Sequence, residues 1–314
     1  MADPVVGAEP CTALGAATST IESYPGRDVA LEGLRVTRVM PIRDRRMVGP
    51  WCFLDRFGPL SFGPGKPMDV APHPHVGLQT VTWLLSGEVL HDDSLGYAAT
   101  ARPGGVNVMT AGSGIAHAEQ TPESNSGSLD GVQLWVALPD ASRAVAPSFT
   151  AIAEVPPAEQ RGGVIRVFSG GLDGVASPAP HYSCLVGAEV QVLPNASVEH
   201  ALDPSFEHAM LTLDGDAAFE GTRLEPRRLY YLGTRRTSAT LSSRSGARVL
   251  LLGGPPFAER ILMWWNFVAR TPEEIASARA DWIARRRFGE VAGYRGPRLD
   301  APELARLARA NPMS

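Results

Sequence analysis

The sequence predicts an all-β protein made of two jelly-roll-like β-barrels in tandem, with a short C-terminal helical segment. Short runs of β-branched and aromatic residues, separated by glycine turns, extend from QTVTWLLSG to GVQLWVALP and resume from VIRVFSG to ARVLLLGG. Between the two series lies a segment dense in proline and alanine, PDASRAVAPSF followed by EVPPAEQRGG. A chain of 314 residues is long enough for two such domains, each with its own core.

These patterns divide the chain into four predicted regions. Residues 1–28 are rich in Ala, Gly, Pro, Ser and Thr and are predicted to form a flexible arm. The first barrel takes residues 29–145, starting with the alternating run LEGLRVTRVMPI, and the second barrel takes residues 146–256. Residues 257–314 form a C-terminal helical extension. There, Thr271 caps a helix with Glu274 as its reciprocal partner, and Asp300 starts a second short helix.

The composition is that of an ordinary soluble globular protein, with 44% hydrophobic and 20% charged residues. A net charge of -4 argues against non-specific binding to nucleic acid or to an anionic membrane. The three cysteines lack CxxC spacing, which indicates reduced thiols. The start MADPVVGAEP does not resemble a signal peptide, and no apolar run approaches the ~20 residues of a membrane span. We therefore expect a cytoplasmic protein.

Four potential metal ligands occur in two closely spaced pairs, His73 with His75 and His117 with Glu119. Side chains alternate faces along a β-strand, so the two members of each pair point the same way. Two such strands side by side in a small barrel would aim three imidazoles and one carboxylate at one interior point. A lone interior histidine is more often a hydrogen-bonded core residue than a ligand. The second pair follows the first after 42 positions, with glycine turns between, and this combination predicts a metal site.

The chemistry of the four candidate ligands limits which metals can bind. Three neutral nitrogens and one anionic oxygen, without a thiolate, suit a divalent first-row metal such as iron, manganese, nickel, copper or zinc. Four protein ligands on a metal that prefers six leave two positions free, which predicts a reactive site rather than a closed structural one. The later histidines, His181, His200 and His208, form no HxH pair. The second barrel is therefore predicted to be metal-free.

Several runs resemble the pirin family of the cupin superfamily: VGPWCFLDRFGP, HPHVGLQTVTWLLSGEVLHDDSLG, PGGVNVMTAGSGIAHAE, GVQLWVALP and ARVLLLGGPPFAERILMWWNFVARTPEEIASARADW. The resemblance covers roughly residues 30 to 290 and implies two cupin barrels with one metal in the N-terminal barrel. It places the family's iron ligands on His73, His75, His117 and Glu119. Fe(II) is thus the metal that the resemblance implies first, with Mn, Ni, Cu, Co or Zn as alternatives.

One position departs from the family pattern. Many relatives have a glutamate where this chain has Gln79, four residues after His75 and, by alternation, on the same inward face. Its amide can hydrogen-bond to a water or a substrate oxygen near the metal but cannot act as a base. The same parity places Trp83 on the ligand-facing side of its strand, where a role in the core is favoured over a role in a pocket. His91 is expected to be structural, because it lies far from the ligands along the sequence.

The resemblance implies an activity of the quercetin 2,3-dioxygenase type, which cleaves a flavonol or a related enolisable aromatic with O2. Glu119 would then be the catalytic residue, serving in turn as ligand and as base for the hydroxyl proton of the substrate. The partners would be a small aromatic substrate and O2. The alternative is a non-enzymatic regulatory or binding protein, in which the redox state of the metal sets a surface that a protein partner reads.

Overall fold

A computed structural model describes residues 21–31, 34–63 and 65–304 and confirms the predicted all-β architecture of two barrels. In chain order, the strands of the first half are β1 (Glu22–Pro25), β2 (Arg27–Leu31), β3 (Leu34–Met40), β4 (Trp51–Ser61), β5 (Asp69–His75), β6 (Leu78–Gly87), β7 (Val89–Asp93), β8 (Ala98–Ala101), β9 (Val106–Thr110), β10 (Ile115–Gln120), β11 (Ser128–Ala137) and β12 (Ser148–Ile152). The second half continues with β13 (Ala158–Gln160), β14 (Gly163–Leu172), β15 (Val175–Ala176), β16 (Val186–Val192), β17 (Ala196–Ala201), β18 (Glu207–Phe219), β19 (Thr222–Arg223), β20 (Arg228–Gly233) and β21 (Ser238–Gly254). After these come β22 (Leu262–Trp264), β23 (Phe267–Ala269) and the helix α1 (Pro272–Ile283).

The first barrel is built from two sheets. A seven-stranded sheet has the order β12-β9-β6-β11-β4-β3-β2, and a four-stranded sheet has the order β5-β10-β7-β8. Two apolar clusters lie in this barrel, one around Leu78, Ile115 and Trp135 and the other around Phe57 and Leu84. Both strands that carry the predicted ligands, β5 and β10, are neighbours in the smaller sheet.

The second barrel is one ten-stranded sheet whose main order is β1-β20-β18-β21-β16-β14-β13, with β15, β17 and β19 added beside β14, β21 and β18. In strand β17, buried and exposed residues alternate. Val198 and His200 are buried, while Ser197, Glu199 and Ala201 are exposed. This alternation is that of a strand with one face on the core.

The flexible arm predicted for residues 1–28 is wrong from Glu22 onward. Residues 1–20 lie outside the described part of the chain. Strand β1 pairs antiparallel with β20, so the start of the described chain adds an edge strand to the second barrel. Strand β2 then pairs with β3 in the first barrel. Both strands are short and mostly exposed, and they therefore lack the apolar alternation from which a strand is predicted.

An apolar interface joins the two barrels. Strand β6 is buried on both faces, because one face lines the first barrel and the other packs on the second. The ring of Trp83 stacks on Phe168, with 5.0 Å between ring centroids, and its Nε1 donates to Glu189. The indole of Trp51 donates to the carbonyl oxygens of Val186 and Gly253. Trp83 is thus a core residue, as favoured. Its side chain faces the second barrel and not the ligands, so the predicted ligand-facing orientation is wrong.

The C-terminal extension returns to the first barrel and is not wholly helical. Strands β22 and β23 form a hairpin whose Phe267 pairs with Val76, and the Val268 amide donates to the Val76 carbonyl oxygen at 3.0 Å. A Cβ on Gly77 would lie 2.1 Å from the Val268 carbonyl oxygen, so only glycine permits this approach. Further on, the Leu299 amide donates to Pro72. The extension therefore contacts the middle of the strand that carries His73 and His75 and the residues just after its end.

The helix α1 begins as predicted, with the Thr271 hydroxyl accepting a hydrogen bond from the Glu274 amide. The Glu274 carboxylate accepts from the Arg270 amide and pairs with Arg143. Residues 300–304 are not helical, and the rest of the second predicted helix lies outside the described residues. Nowhere in the described ranges is there a helix long and apolar enough to cross a membrane.

Candidate metal centre

Strands β5 and β10 bring the three predicted histidines together. His117 lies opposite His73 in the antiparallel register, and His75 lies opposite Ile115. The Nε2 atoms of His75 and His117 are 3.1 Å apart, and one ring nitrogen of each of the three histidines lies within 4.8 Å of the others. All three side chains are buried. Three buried imidazole nitrogens this close together could hold one metal ion.

Hydrogen bonds fix the orientation of two of these rings. His73 Nδ1 lies 2.9 Å from the Ala71 carbonyl oxygen, and His75 Nδ1 lies 3.2 Å from the Asn266 carbonyl oxygen. A carbonyl oxygen only accepts, so in both histidines Nδ1 carries the proton and Nε2 keeps its lone pair. Such partners set the tautomer that a metal ligand needs.

The electrostatics of the cluster also favour the neutral form. Burial lowers the pKa of His73 to about 4. Burial lowers the pKa values of His75 and His117 well below the usual range, and the neighbouring imidazoles lower them further. A neutral imidazole is the form that binds a metal. The three lone pairs are therefore available at neutral pH.

His91 belongs to this cluster, although its distance along the sequence suggested otherwise. Its Nδ1 lies 3.2 Å from His117 Nδ1, its Nε2 lies 3.1 Å from Asp93 Oδ2, and its ring stacks on Phe149. The aspartate fixes the proton on His91 Nε2, so His91 Nδ1 accepts from His117. The sequence contained a signal for this role, because His91 and Asp93 are separated by one residue, as are the two members of each ligand pair. In the structure, β7 pairs directly with β10.

Glu119 lies on the wall of the same cavity but outside the group of three close ligand atoms. The register of β10 against β5 shifts between His117 and Glu119, which indicates a bulge there. Burial raises the pKa of the Glu119 carboxyl, while His91 and a hydrogen bond with Thr82 lower it. The structure thus places Glu119 beside the histidines with a raised affinity for a proton.

The inward position predicted for Gln79 is wrong. The chain turns at Gly77, where φ is +73°, so the alternation of β5 does not continue into β6. The Gln79 amide donates to Thr110 Oγ1 at 3.0 Å and to the Pro180 carbonyl oxygen at 3.3 Å. It is buried between the barrels and is not among the residues that line the cavity. The role assigned to it beside the metal therefore has no structural support.

A cavity of about 460 Å³ opens above the histidine cluster. Its walls are largely apolar: Phe53 and Trp135 stack at 4.1 Å, and Trp135 meets the ring of His75 edge to face. Arg38, paired through two hydrogen bonds with Asp55, is a charged part of the lining. The C-terminal extension supplies further lining residues, namely Met263, Trp265, Asn266 and Leu299. An apolar cavity of this size with a few convergent polar groups is typical of a small-molecule site.

The fold and this cluster define a class, the double-barrel cupin proteins with a histidine-rich site in the N-terminal barrel. Within that class, the Pirin family model matches residues 33–136, and the model described as Pirin C-terminal cupin domain matches residues 187–289. The chain therefore belongs to the pirin family, as its sequence motifs predicted.

Individual relatives support this assignment. The chain is 44% identical over 274 residues to the Pseudomonas aeruginosa protein named "Putative quercetin 2,3-dioxygenase PA1205", a match that covers 87% of this chain and 86% of that protein. It is 38% identical over 271 residues to a pirin-like protein of Caulobacter vibrioides, covering 84% and 93%. A crystal structure described as quercetin 2,3-dioxygenase from Acinetobacter baumannii superposes with a TM-score of 0.90 at 39% identity, covering 94% and 98%.

Proposed function

We propose that this protein is a metal-dependent dioxygenase of the pirin type, which cleaves a flavonol or a related enolisable aromatic with O2. The observation that carries this proposal is the convergence of three buried, neutral histidines beneath an aromatic-lined cavity. The relative at 44% identity is named "Putative quercetin 2,3-dioxygenase PA1205", and the solved structure at 39% identity is described as quercetin 2,3-dioxygenase, which supports the same reaction class.

The donor set fits the metal that the proposal requires. His73, His75 and His117 would hold it through nitrogen, and Glu119 is proposed as the fourth ligand. Nitrogen and carboxylate donors without a thiolate suit Fe(II), our first choice, and also Mn, Ni, Cu, Co or Zn. When bound, a divalent ion would supply Lewis acidity and would orient the substrate and O2.

Glu119 is proposed to accept the proton of the substrate hydroxyl. Its pKa is raised by burial, which makes the carboxylate a stronger base, and it lies on the cavity wall where a bound aromatic would sit. The hydrogen bond with Thr82 would orient it. No other carboxylate lines the described cavity except Asp55, which is held in its pair with Arg38.

The cavity walls are suited to a flat aromatic ligand. The stacked pair Phe53 and Trp135 lies next to His75, so a planar ring could bind close to the histidines. A volume of about 460 Å³ lies within the range of sites for molecules of this size. Apolar walls would also limit the access of water to the reacting atoms.

The proposal is tested by the O2-dependent loss of flavonol absorbance. Fe(II)-loaded protein is mixed with quercetin without oxygen, and O2 is then admitted. We expect consumption of quercetin well above that caused by free Fe(II), and only background consumption by His117→Ala at the same total iron. If the wild type does not exceed free metal, the dioxygenase proposal is rejected, and the regulatory or binding role replaces it.

A further inference from the structure

Trp265 adopts a backbone conformation that a tryptophan rarely tolerates. It is the first residue of the two-residue turn between β22 and β23, and its φ is +52°, in the left-handed region that favours glycine. A bulky side chain persists there only when its surroundings hold it, and such strained residues concentrate at functional sites. Its indole lines the cavity above the histidines.

The turn is fixed relative to the histidines. The carbonyl oxygen of Asn266, the next residue, accepts the hydrogen bond from His75 Nδ1 at 3.2 Å. Two residues later, the amide of Val268 donates to the carbonyl oxygen of Val76. Trp265 therefore directly precedes the residue whose carbonyl oxygen orients the proposed ligand His75. The hairpin thereby fixes the position of Trp265 relative to His75.

Two aromatic rings pack against the indole of Trp265. Trp265 meets Phe267 edge to face at 5.5 Å and Trp282 of α1 at 6.5 Å between ring centroids. Its side chain remains partly exposed, and it faces the cavity from a hairpin that lies outside the barrel. The neighbouring Trp264 packs in the same cluster of rings but does not line the cavity.

We propose that Trp265 is a positioning and specificity-determining residue for the aromatic substrate, supplied to the first barrel by the C-terminal extension. This inference rests on the proposed function, because it takes a flavonol as the ligand. The indole face would bind a ring of the flavonol and orient its hydroxyl group toward the histidines and Glu119. Trp265 would take no part in proton transfer.

Zn(II)-loaded protein kept without oxygen tests this directly, because the proposed reaction consumes O2 and quercetin can then be titrated without turnover. In Trp265→Gly, which relieves the left-handed strain, we expect the Kd for quercetin to rise about tenfold or more while the Kd for Zn(II) changes by less than about twofold. Trp265→Phe should recover most of the quercetin affinity. Trp264→Ala is the matched control and should bind quercetin as the wild type does.

Any of three results with the variants would overturn the inference: unchanged quercetin binding by Trp265→Gly, equal loss of quercetin and Zn(II) binding, or no recovery with Trp265→Phe. Absence of quercetin binding to the wild type would overturn it as well. The proposed activity is judged separately, by O2 consumption of the Fe(II)-loaded wild type. A protein that binds quercetin through Trp265 without consuming O2 would retain this inference and lose the proposed reaction.

Discussion

The Nδ1 atoms of His117 and His91 lie 3.2 Å apart, so the third histidine of the cluster is held by a side chain of the neighbouring strand β7. His91 is itself held by Asp93, whose other carboxylate oxygen accepts from the amides of Leu95 and Tyr97. This chain of contacts links the orientation of a proposed ligand to the turn between β7 and β8. It makes His91 the residue outside the proposed ligand set whose loss should affect metal binding most.

Replacing His91 by phenylalanine keeps an aromatic ring against Phe149 but removes the acceptor for His117 Nδ1–H. We expect metal affinity to fall about 10- to 100-fold, as is usual when the hydrogen-bond partner of a metal ligand is removed. Competition with a chromophoric chelator for Zn(II) measures this. His91→Gln, whose amide oxygen can still accept, is the control and should lose less. Equal affinity of His91→Phe and the wild type would contradict the assignment.

Acid should destabilise the metal-free protein through its buried histidines. Burial lowers the pKa of His73 from 6.5 to about 4, so between these values the unfolded chain binds more protons than the folded protein. The free energy of unfolding should therefore fall as the pH falls through this window, by about 3 kcal/mol from His73, and this loss should stop below pH ~4. His75 and His117 act in the same direction.

Urea unfolding of the metal-free protein at several pH values between 4 and 8 checks this expectation. The control is His73→Gln, which removes one titrating group and should show a shallower dependence of unfolding free energy on pH. Identical slopes for the variant and the wild type would mean that folding does not lower the pKa of His73.

Gln79→Leu should reduce stability without changing the site. The substitution removes the hydrogen bond to Thr110 and leaves the Pro180 carbonyl oxygen without this donor, at a cost of about 1–3 kcal/mol. Metal content and quercetin turnover should stay near those of the wild type, because Gln79 does not line the cavity. Thermal unfolding and turnover are measured together, with Thr110→Val as a matched variant. A loss of turnover without a loss of stability would restore the role first predicted for Gln79.

The comparison of Gln79 with His75 shows what sequence alone could predict. Alternation is a local rule, so it correctly paired His73 with His75 on one strand and His117 with Glu119 on another. It failed four residues later, because Gly77 turns the chain and starts a new strand. The fold class followed from the strand pattern, since that signal is repeated along both halves of the chain.

Local rules such as alternation along a strand cannot predict contacts between segments that are distant in the sequence. Asn266 lies 191 residues from His75, and its role depends on the C-terminal hairpin returning to the first barrel. Strand register likewise brings His91 to His117 across 26 residues. The extension was predicted as helical because the capping signal at Thr271 is strong, whereas the hairpin before it has strands of only three residues each.

Glu119→Gln separates catalysis from metal binding. The amide keeps an oxygen donor but removes the charge and most of the basicity, so the variant should retain metal and bind quercetin. Its turnover should be about 10²–10⁴-fold lower, the usual cost of losing a general base. Single-turnover kinetics with Fe(II)-loaded protein measures the effect. Turnover within a few fold of the wild type would show that Glu119 is not the base.

The most direct test of the central claim is the metal content of protein purified without added metal. We expect about one equivalent per chain in the wild type, and its loss in His73→Ala, His75→Ala and His117→Ala while the variants remain folded. The second barrel is predicted to hold none, so His208→Ala should keep the full equivalent. Full occupancy in His117→Ala, or a second equivalent that His208→Ala removes, would contradict the assignment of the metal to the three histidines of the first barrel.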